Sequence, residues 1–305
     1  MSWSGLEAAS LLAGGMKPST LRAVLSSTES LSELERLGPE RLIALTGGRE
    51  LRLGDVDLGE LWAVTVNDSQ YPKALRMTRT PPPVLFGKGD IEVLHRCVAV
   101  VGTRRITKIG TAIASAAVDA VAAVDAAVVS GLALGCDSAA HEAARVRGIR
   151  TAAVLGCGAD VVYPRENATL LQRILEDGGV VVSEQLPGRP VSGQNLQARN
   201  RIITGSGWVF MPCEADRGSS GTIGALKTAV AEHRPIVIPR LKESWRHAKG
   251  AWMLEQLADP DGELSKSFPE FYKRGACVAN AVCSERSDLQ DALRILMVFS
   301  PANAA

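Results

Sequence analysis

Several apolar runs of this chain end in a glycine-containing turn and then continue with a helical pattern. The clearest example spans residues 129–141, where Asp137 or Ser138 is placed to cap the helix that follows the turn. Such a strand–turn–helix passage directs free backbone N–H groups and the positive end of a helix dipole at one point, which suits a phosphate. The pattern recurs at residues 98–105 and 151–158. The sequence therefore predicts a surface that contacts phosphates.

The apolar run at residues 98–101 is followed by Gly102, Thr103, Arg104 and Arg105. Glycine lets the backbone approach a ligand closely, a threonine hydroxyl donates a hydrogen bond, and arginine can hold a phosphate through two parallel hydrogen bonds. Arginines at the start of a helix can also be plain solvated charges. Because similar turns occur elsewhere in the chain, we favour phosphate contact.

A polar loop later in the chain ends with Arg199 and Arg201 on either side of Asn200. Their planar groups could bind phosphates or stack on bases, or the arginines could be solvated charges at a helix end. Glu184 follows the apolar run at residues 179–183 and could orient these arginines through an ion pair or contact a ribose.

Hydroxyl groups and glycine also open the helix that follows residues 214–218, which again is typical of an anion site. The complete set of residues predicted to contact phosphates is Gly102, Thr103, Arg104, Arg105, Ser130, Gly131, Leu132, Gly135, Asp137, Arg199, Asn200, Arg201, Ser219, Ser220, Gly221 and Thr222.

Ser130, Asp137 and His141 raise the alternative of a nucleophile–base arrangement. Asp137 and His141 lie four residues apart on one predicted helix, where an Asp–His pair, or a cap with a core histidine, is routine. No second feature supports a hydrolytic site. We therefore predict no catalytic residues and a protein that is not an enzyme.

The cysteine and histidine content predicts no metal site and no cofactor. The six cysteines include no CxxC pair, and the four histidines have no ligand-like spacing. Most cysteines lie in or beside apolar runs, so we expect buried, reduced thiols.

Composition and charge place the chain among ordinary soluble proteins. Its 305 residues are 46% apolar and 22% charged. The net charge of +1 excludes a uniformly basic coat but allows a local basic groove. No apolar segment reaches transmembrane length without charges or breakers, and the start of the chain does not resemble a signal peptide. We expect a cytoplasmic protein without a membrane partner.

Apolar runs alternate with alanine-rich helical segments after residue 83. Because the runs are continuously apolar, they predict strands that are covered on both faces. The predicted strands are 84–87, 98–102, 126–130, 151–156, 179–183, 208–212 and 235–239, and the predicted helices are 109–124, 138–147, 166–176, 222–233 and 286–299. This order predicts an α/β fold, namely an extended Rossmann-like, doubly wound, mostly parallel sheet. The glycine turns then fall at the carboxyl ends of the strands, where such sheets bind ligands.

We predict three parts of the chain. Residues 1–62 form a small helical module of the SAM or helix-hairpin-helix type, which could be a packing appendage or a contact for duplex DNA or protein. Residues 63–275 form the Rossmann-like domain, with Trp245, Trp252 and Phe268 as packing anchors. Residues 276–305 form a C-terminal helical segment.

An ordered series of motifs resembles the DNA-processing protein family DprA, also called Smf. The motifs are Tyr71-Pro72 with Pro81–Pro83, Val101–Arg104, Ser130–Ala133 with Gly135, Asp137 and His141, Val154–Gly156 with Tyr163-Pro164 and Asn167, Ser183-Glu184, Arg199–Ile203, and Glu214-Ala215 with Ser220-Gly221. The resemblance implies a homodimer that binds and protects single-stranded DNA and assists the loading of a RecA-type recombinase in DNA uptake and recombination. It also implies that residues 63–275 are the DNA-binding domain and that the residues predicted to contact phosphates bind nucleic acid. The family usually has an arginine where this chain has Leu134, and no C-terminal winged helix is recognisable.

A nucleotide-binding enzyme or sensor is the main alternative function. The phosphoribohydrolases of the lysine-decarboxylase-like group share the strand–turn–helix layout but carry a PGGxGTxxE turn. The corresponding stretch here, residues 212–222, lacks that glycine pair, and the glutamate expected downstream of the threonine is absent. A pure protein-interaction scaffold ranks last, because it leaves the glycine turns unexplained.

Overall fold

The computed structural model describes residues 3–48, 51–245, 250–259 and 281–298. Four short helices come first: α1 (Gly5–Ala13), α2 (Pro18–Ser27), α3 (Leu31–Glu35) and α4 (Pro39–Thr46). The side chains of Ser4 and Ser30 cap α1 and α3, and a proline opens each of the other two. These signals start helices that are too short to be stable without packing against other elements.

Seven strands form the main sheet. They are β1 (Trp62–Thr65), β2 (Val84–Gly89), β3 (Cys97–Val101), β4 (Ala127–Ser130), β5 (Thr151–Val154), β6 (Val180–Ser183) and β7 (Gly207–Pro212). Their order is β1-β2-β6-β5-β4-β3-β7. Strands β3 to β7 are mutually parallel, and β2 runs antiparallel to both of its neighbours, β1 and β6. The predicted mostly parallel, Rossmann-like α/β fold is confirmed.

Nine further α-helices lie in the described ranges. They are α5 (Lys73–Arg76), α6 (Lys108–Ala122), α7 (Cys136–Val146), α8 (Ala168–Glu176), α9 (Gly193–Ala198), α10 (Asn200–Ser206), α11 (Ser220–Ala231), α12 (Trp252–Ala258) and α13 (Arg286–Val298). The long predicted helices are thus found within a few residues of their expected ends. Within the described ranges, no helix has the length and apolar character to span a bilayer.

The direction in which the chain winds reverses between β3 and β7. From β3 the chain adds β4, β5 and β6 on one side, whereas β7 returns to the other side of β3. In an open parallel sheet, the crevice outside the carboxyl ends of the strands at such a switch point is where ligands bind. The fold therefore places the expected site where residues 102–107 and 213–222 leave their strands.

Two strands of this fold were not predicted. β1 lies at the edge of the main sheet, and β9 (Ala281–Cys283) pairs in parallel with β8 (Val237–Pro239). A single bridge from Phe210 to Ile236 connects that pair to β7. Helix α13 packs against α6 and β7.

Two apolar cores hold these layers together. The larger one fills the sides of the parallel sheet and includes partly buried Trp245 and Trp252 as predicted, while Phe268 lies outside the described residues. The smaller core joins the first helices to β1 and β2 through residues such as Leu11 and Phe86. The helical module is therefore packed on the sheet, while its predicted boundary at residue 62 and the other domain limits stay predictions.

The cysteines of the described segments are all buried and free. Cys277 lies outside the described residues.

Candidate nucleic-acid interface

An open groove of about 440 Å³ lies at the switch point between β3 and β7. We call it the switch-point groove. The predicted binding residues that line it are Gly102, Thr103, Arg104, Arg105, Asp137, Arg199, Asn200, Ser219, Ser220, Gly221 and Thr222. The structure thus brings together residues from four separate segments of the chain.

A smaller cavity of about 60 Å³ opens beside the switch-point groove. Its walls share Arg104, Ala133, Leu196 and Arg199 with the groove and add the predicted residue Gly131. The remaining lining residues are Leu134, Leu155, Gly156, Tyr163 and Pro164. Site prediction from single motifs missed these mostly apolar residues, although Tyr163-Pro164 belongs to the family pattern.

Arg104 and Arg105 form the exposed cationic wall of the groove. Both side chains are exposed, and neither has an ion-pair partner among the described residues. The N–H of Arg105 donates to the hydroxyl of Thr103 at 3.2 Å, which tightens the turn that carries both arginines. These guanidinium groups are therefore available to an anion.

Helix α11 forms the opposite wall with its N-terminus. The hydroxyl of Ser219 accepts from the N–H of Asp216 at 3.0 Å, and the carbonyl of Ser219 accepts from the N–H of Ile223. The N–H groups of Gly221 and Thr222 have no acceptor in the part of the chain that the structure describes. Donors of this kind at a helix N-terminus attract a phosphate.

The turn between β4 and α7 differs from its prediction. Gly135, with φ at +88°, occupies the cap position of α7, and Asp137 lies inside the helix. The carboxylate of Asp137 instead accepts from the N–H groups of Gly131 at 3.2 Å and Ala133 at 3.3 Å. The expected capping by Asp137 or Ser138 is therefore wrong, and two amides of this turn are already bonded within the protein.

Four predicted binding residues do not line either cavity. Ser130 is buried and donates its hydroxyl to the carbonyl of Val100 at 2.7 Å. Leu132 is fully buried, and Gly135 lies against the backbone of residues 103 and 104, where a side chain would not fit. These three positions shape the turn because they pack beneath it.

Arg201 is the fourth residue outside the groove. Its Nη2 pairs with the carboxylate of Glu184, as the sequence suggested for one of the two arginines, and its Nη1 is buried without a partner among the described residues. This arrangement therefore does not place Arg201 where it could contact a nucleic-acid strand in the groove.

Arg199 lines the groove but is 5% exposed and strongly bonded inside the protein. Its Nη1 donates to the carbonyl oxygens of Gly131 and Val154, at the ends of β4 and β5. Its Nη2 lies 3.9 Å from the carboxylate of Asp137. Burial raises the pKa of Asp137, and the Arg199 guanidinium opposes that rise. Arg199 thus joins strand ends to a buried carboxylate beneath the groove.

Asn200 connects two walls of the groove. Its Nδ2 donates to the carbonyl of Gly221 at 3.1 Å, linking the start of α10 to the start of α11. This bond helps to fix the helix N-terminus that carries the free N–H groups.

The residues of the hydrolytic alternative do not form a nucleophile–base pair. Nδ1 of His141 lies 2.6 Å from the hydroxyl of Thr151, and that hydroxyl donates to the carbonyl of Val128 at 2.9 Å. The Nδ1 atom is therefore the donor, and Nε2 is buried without a partner among the described residues. Burial is the main cause that lowers the pKa of His141 to about 3. His141 is a neutral core residue.

Similarity to known proteins was found at the level of family, sequence and structure. A model of the family described as DNA recombination-mediator protein A matches residues 62–260, which is more than half of the chain. Protein Smf of Synechocystis is 37% identical over 174 residues, which cover 54% of this chain and 42% of that protein. The chain spans about half the length of the first curated relatives it matches.

Two solved structures share the fold. The X-ray structure of DNA processing protein A from Streptococcus pneumoniae matches with a TM-score of 0.74 and 27% identity, covering 95% of this chain and 98% of that chain. DNA processing protein A of Helicobacter pylori, which binds single-stranded DNA, matches with a TM-score of 0.60 and 24% identity, covering 76% and 95%. These matches confirm the family resemblance inferred from the motifs.

Proposed function

This chain belongs to the DNA recombination-mediator protein A family, and we propose that it binds single-stranded DNA in the switch-point groove without catalysing a reaction on it. The observation that carries the proposal is the meeting of two kinds of anion-binding group in one groove. Arg104 and Arg105 supply exposed, unpaired guanidinium groups from one wall. The N–H groups of Gly221 and Thr222 are free at the other, among the described residues.

Both kinds of group bind phosphate oxygens and carry no base sequence information. A strand that lies between the walls would place phosphates against donors on both sides, while its bases could contact the apolar cavity around Leu155 and Leu196. We therefore expect binding with little sequence preference and a strong dependence on salt.

The size of the groove favours a single strand over a duplex. Its volume of about 440 Å³ lies within the range of sites that enclose small organic ligands. A few nucleotide units of a flexible strand can enter such a site, whereas the stacked and paired bases of a duplex cannot follow them without unpairing.

Family membership supports the rest of the proposal. The chain would act as a homodimer that protects single-stranded DNA in the cytoplasm and assists the loading of a RecA-type recombinase during DNA uptake and recombination. The H. pylori relative, which has the same fold, binds single-stranded DNA.

Binding of labelled oligo-dT and of a matched duplex, measured at two salt concentrations, tests the proposal. We expect tighter binding of oligo-dT and a log–log salt slope of about −0.7 for each phosphate neutralised on a single strand. Equal or tighter binding of the duplex, or binding that does not respond to salt, would contradict it.

The size of the groove is also compatible with the alternative function, a nucleotide-binding enzyme. A groove of about 440 Å³ with a helix N-terminus could also enclose a free nucleotide. Incubation with nucleoside monophosphates followed by chromatography would detect release of the base. Turnover there, with no binding of oligo-dT, would favour the phosphoribohydrolase alternative.

A further inference from the structure

A buried carboxylate lies directly beneath the arginine wall of the switch-point groove. Glu214 follows β7, is 2% exposed and is not among the residues that line the groove. Its backbone carbonyl accepts from the N–H of Thr103 at 2.7 Å, and its Oε2 accepts from the N–H of Thr107 at 2.8 Å. One residue thus holds both ends of the short segment that contains Arg104 and Arg105.

Two glycines leave the space that this carboxylate needs. A Cβ added at Gly110, in the first turn of α6, would overlap Oε2 of Glu214. A Cβ added at Gly250 would overlap Oε1. The carboxylate is therefore enclosed on two sides, and its negative charge lies at the positive N-terminal end of α6.

We propose that Glu214 is a positioning residue for DNA binding, which holds Arg104 and Arg105 in the orientation that faces the groove. Glu214 also begins the segment that forms the opposite wall, residues 214–222. It therefore sets the spacing between the cationic wall and the N-terminus of α11. This inference rests on the proposed function, because its effect is read in the affinity for single-stranded DNA.

A double-mutant cycle with Arg104→Ala tests the proposal in the full chain. The affinity for oligo-dT is measured for the wild type, for Glu214→Ala, for Arg104→Ala and for the double variant. Glu214→Ala keeps the backbone bond to Thr103 but removes the side-chain bond to Thr107. It should weaken binding on the order of tenfold, since the arginine segment is then held at one end only. Arg104→Ala should then weaken binding far less in the Glu214→Ala background than in the wild type, because coupled residues are not additive.

A conservative replacement separates positioning from general stability. Glu214→Gln keeps an oxygen that can accept from the N–H of Thr107, so it should restore most of the affinity lost in Glu214→Ala. Asp119→Ala is the control for a lost carboxylate contact, because half-buried Asp119 pairs with Arg147 at 2.5 Å and with Arg286 at 3.1 Å, away from the groove. It should lower the unfolding temperature but leave DNA affinity unchanged.

A third variant displaces the carboxylate without removing it. Gly110→Ala puts a methyl group where Oε2 of Glu214 lies, so it should weaken DNA binding as Glu214→Ala does. Gly224→Ala is its matched control inside a helix, because a Cβ there comes no closer than 3.7 Å to another heavy atom. Wild-type affinity in Glu214→Ala and Gly110→Ala, or an unchanged effect of Arg104→Ala, would overturn the proposal.

Hydrogen exchange tests the positioning role of Glu214 separately from the proposed DNA binding. If the wild type does not bind oligo-dT, the proposed function is wrong, yet the positioning role can still be measured. Faster exchange of the amides at residues 104–106 in Glu214→Ala than in the wild type would support it. Equal exchange in the two proteins would contradict it.

Discussion

Nη1 of Arg199 donates to the carbonyl oxygen of Gly131, and the guanidinium occupies the space that a side chain at residue 131 would fill. The end of β4 and the start of α10 are thereby joined beneath the groove. The pair explains why an arginine in a polar segment is buried and why its neighbour is a glycine. Arg199 contributes to the site by holding its floor together.

Gly131→Ala should therefore destabilise the protein by about 2 kcal/mol or more, because the new methyl group would overlap the Arg199 guanidinium. Urea denaturation measures the change. Gly193→Ala is the control, since a Cβ at that position has no heavy atom within 4 Å. Equal stability of the two variants would contradict this account of Arg199.

Arg104→Ala and Arg105→Ala should each lower the affinity for oligo-dT across all sequences. Each should also make the log–log salt slope about 0.7 less steep, as expected when one phosphate contact on a single strand is lost. The measurement is fluorescence anisotropy over a series of salt concentrations. Lys88→Ala is the charge-matched control, because Lys88 lies near the end of β2 beside Val181 at the start of β6, at the opposite rim of the sheet. A slope that changes equally in all three variants would mean that only net charge matters.

Thr222→Val should weaken DNA binding without destabilising the fold. The side chain of Thr222 is 4% exposed and lines the groove, and no hydrogen bond of its hydroxyl is found among the described residues. Replacing an unbonded hydroxyl by a methyl group of similar shape is neutral or stabilising, whereas a lost hydrogen bond to a phosphate weakens binding by several-fold. Thermal unfolding and DNA titration of the same sample provide both readouts. Unchanged affinity would place the phosphate elsewhere.

His141 should make the protein less stable as the pH falls below about 6.5. Its pKa is lowered to about 3 in the folded protein, against about 6.5 in an unfolded chain. Between these values the unfolded state binds a proton that the folded state does not, so the free energy of unfolding falls by about 1.4 kcal/mol per pH unit.

Urea denaturation at several pH values between 4 and 7 tests this slope. The difference between the wild type and His141→Gln isolates the histidine from the carboxylates that also titrate there. Identical slopes in the two proteins would show that His141 is not the group responsible.

The fold and the two outer walls of the groove could be predicted from the sequence for one physical reason. Continuous apolar runs and glycine turns are local features, and the rule for doubly wound sheets brings their ends together. Arg104, Arg105 and residues 219–222 were therefore expected near one another, and they are.

The sequence could not show which polar groups form hydrogen bonds or ion pairs with one another inside the fold. Asp137 was expected to cap a helix, and Arg199 was expected to bind a phosphate. In the structure, Asp137 accepts from the N–H of Gly131 and Arg199 donates to the carbonyl of Val154, each at the end of a strand. The two side chains also lie 3.9 Å from each other. Glu214 was read only as part of a family pattern, because its partners lie about a hundred residues away in the chain. The short strands β1 and β9 were missed as well, although other strands of three or four residues were predicted.

The two walls of the switch-point groove leave adjacent strands, but residues 103 and 219 are far apart along the chain. A nascent polypeptide that has produced only the first wall has no complete cleft, and contacts of such long sequence separation form late in folding. A protein that binds single-stranded DNA with both walls has therefore already added β7 to the sheet. By linkage, a bound oligonucleotide should oppose global unfolding and not merely local fraying.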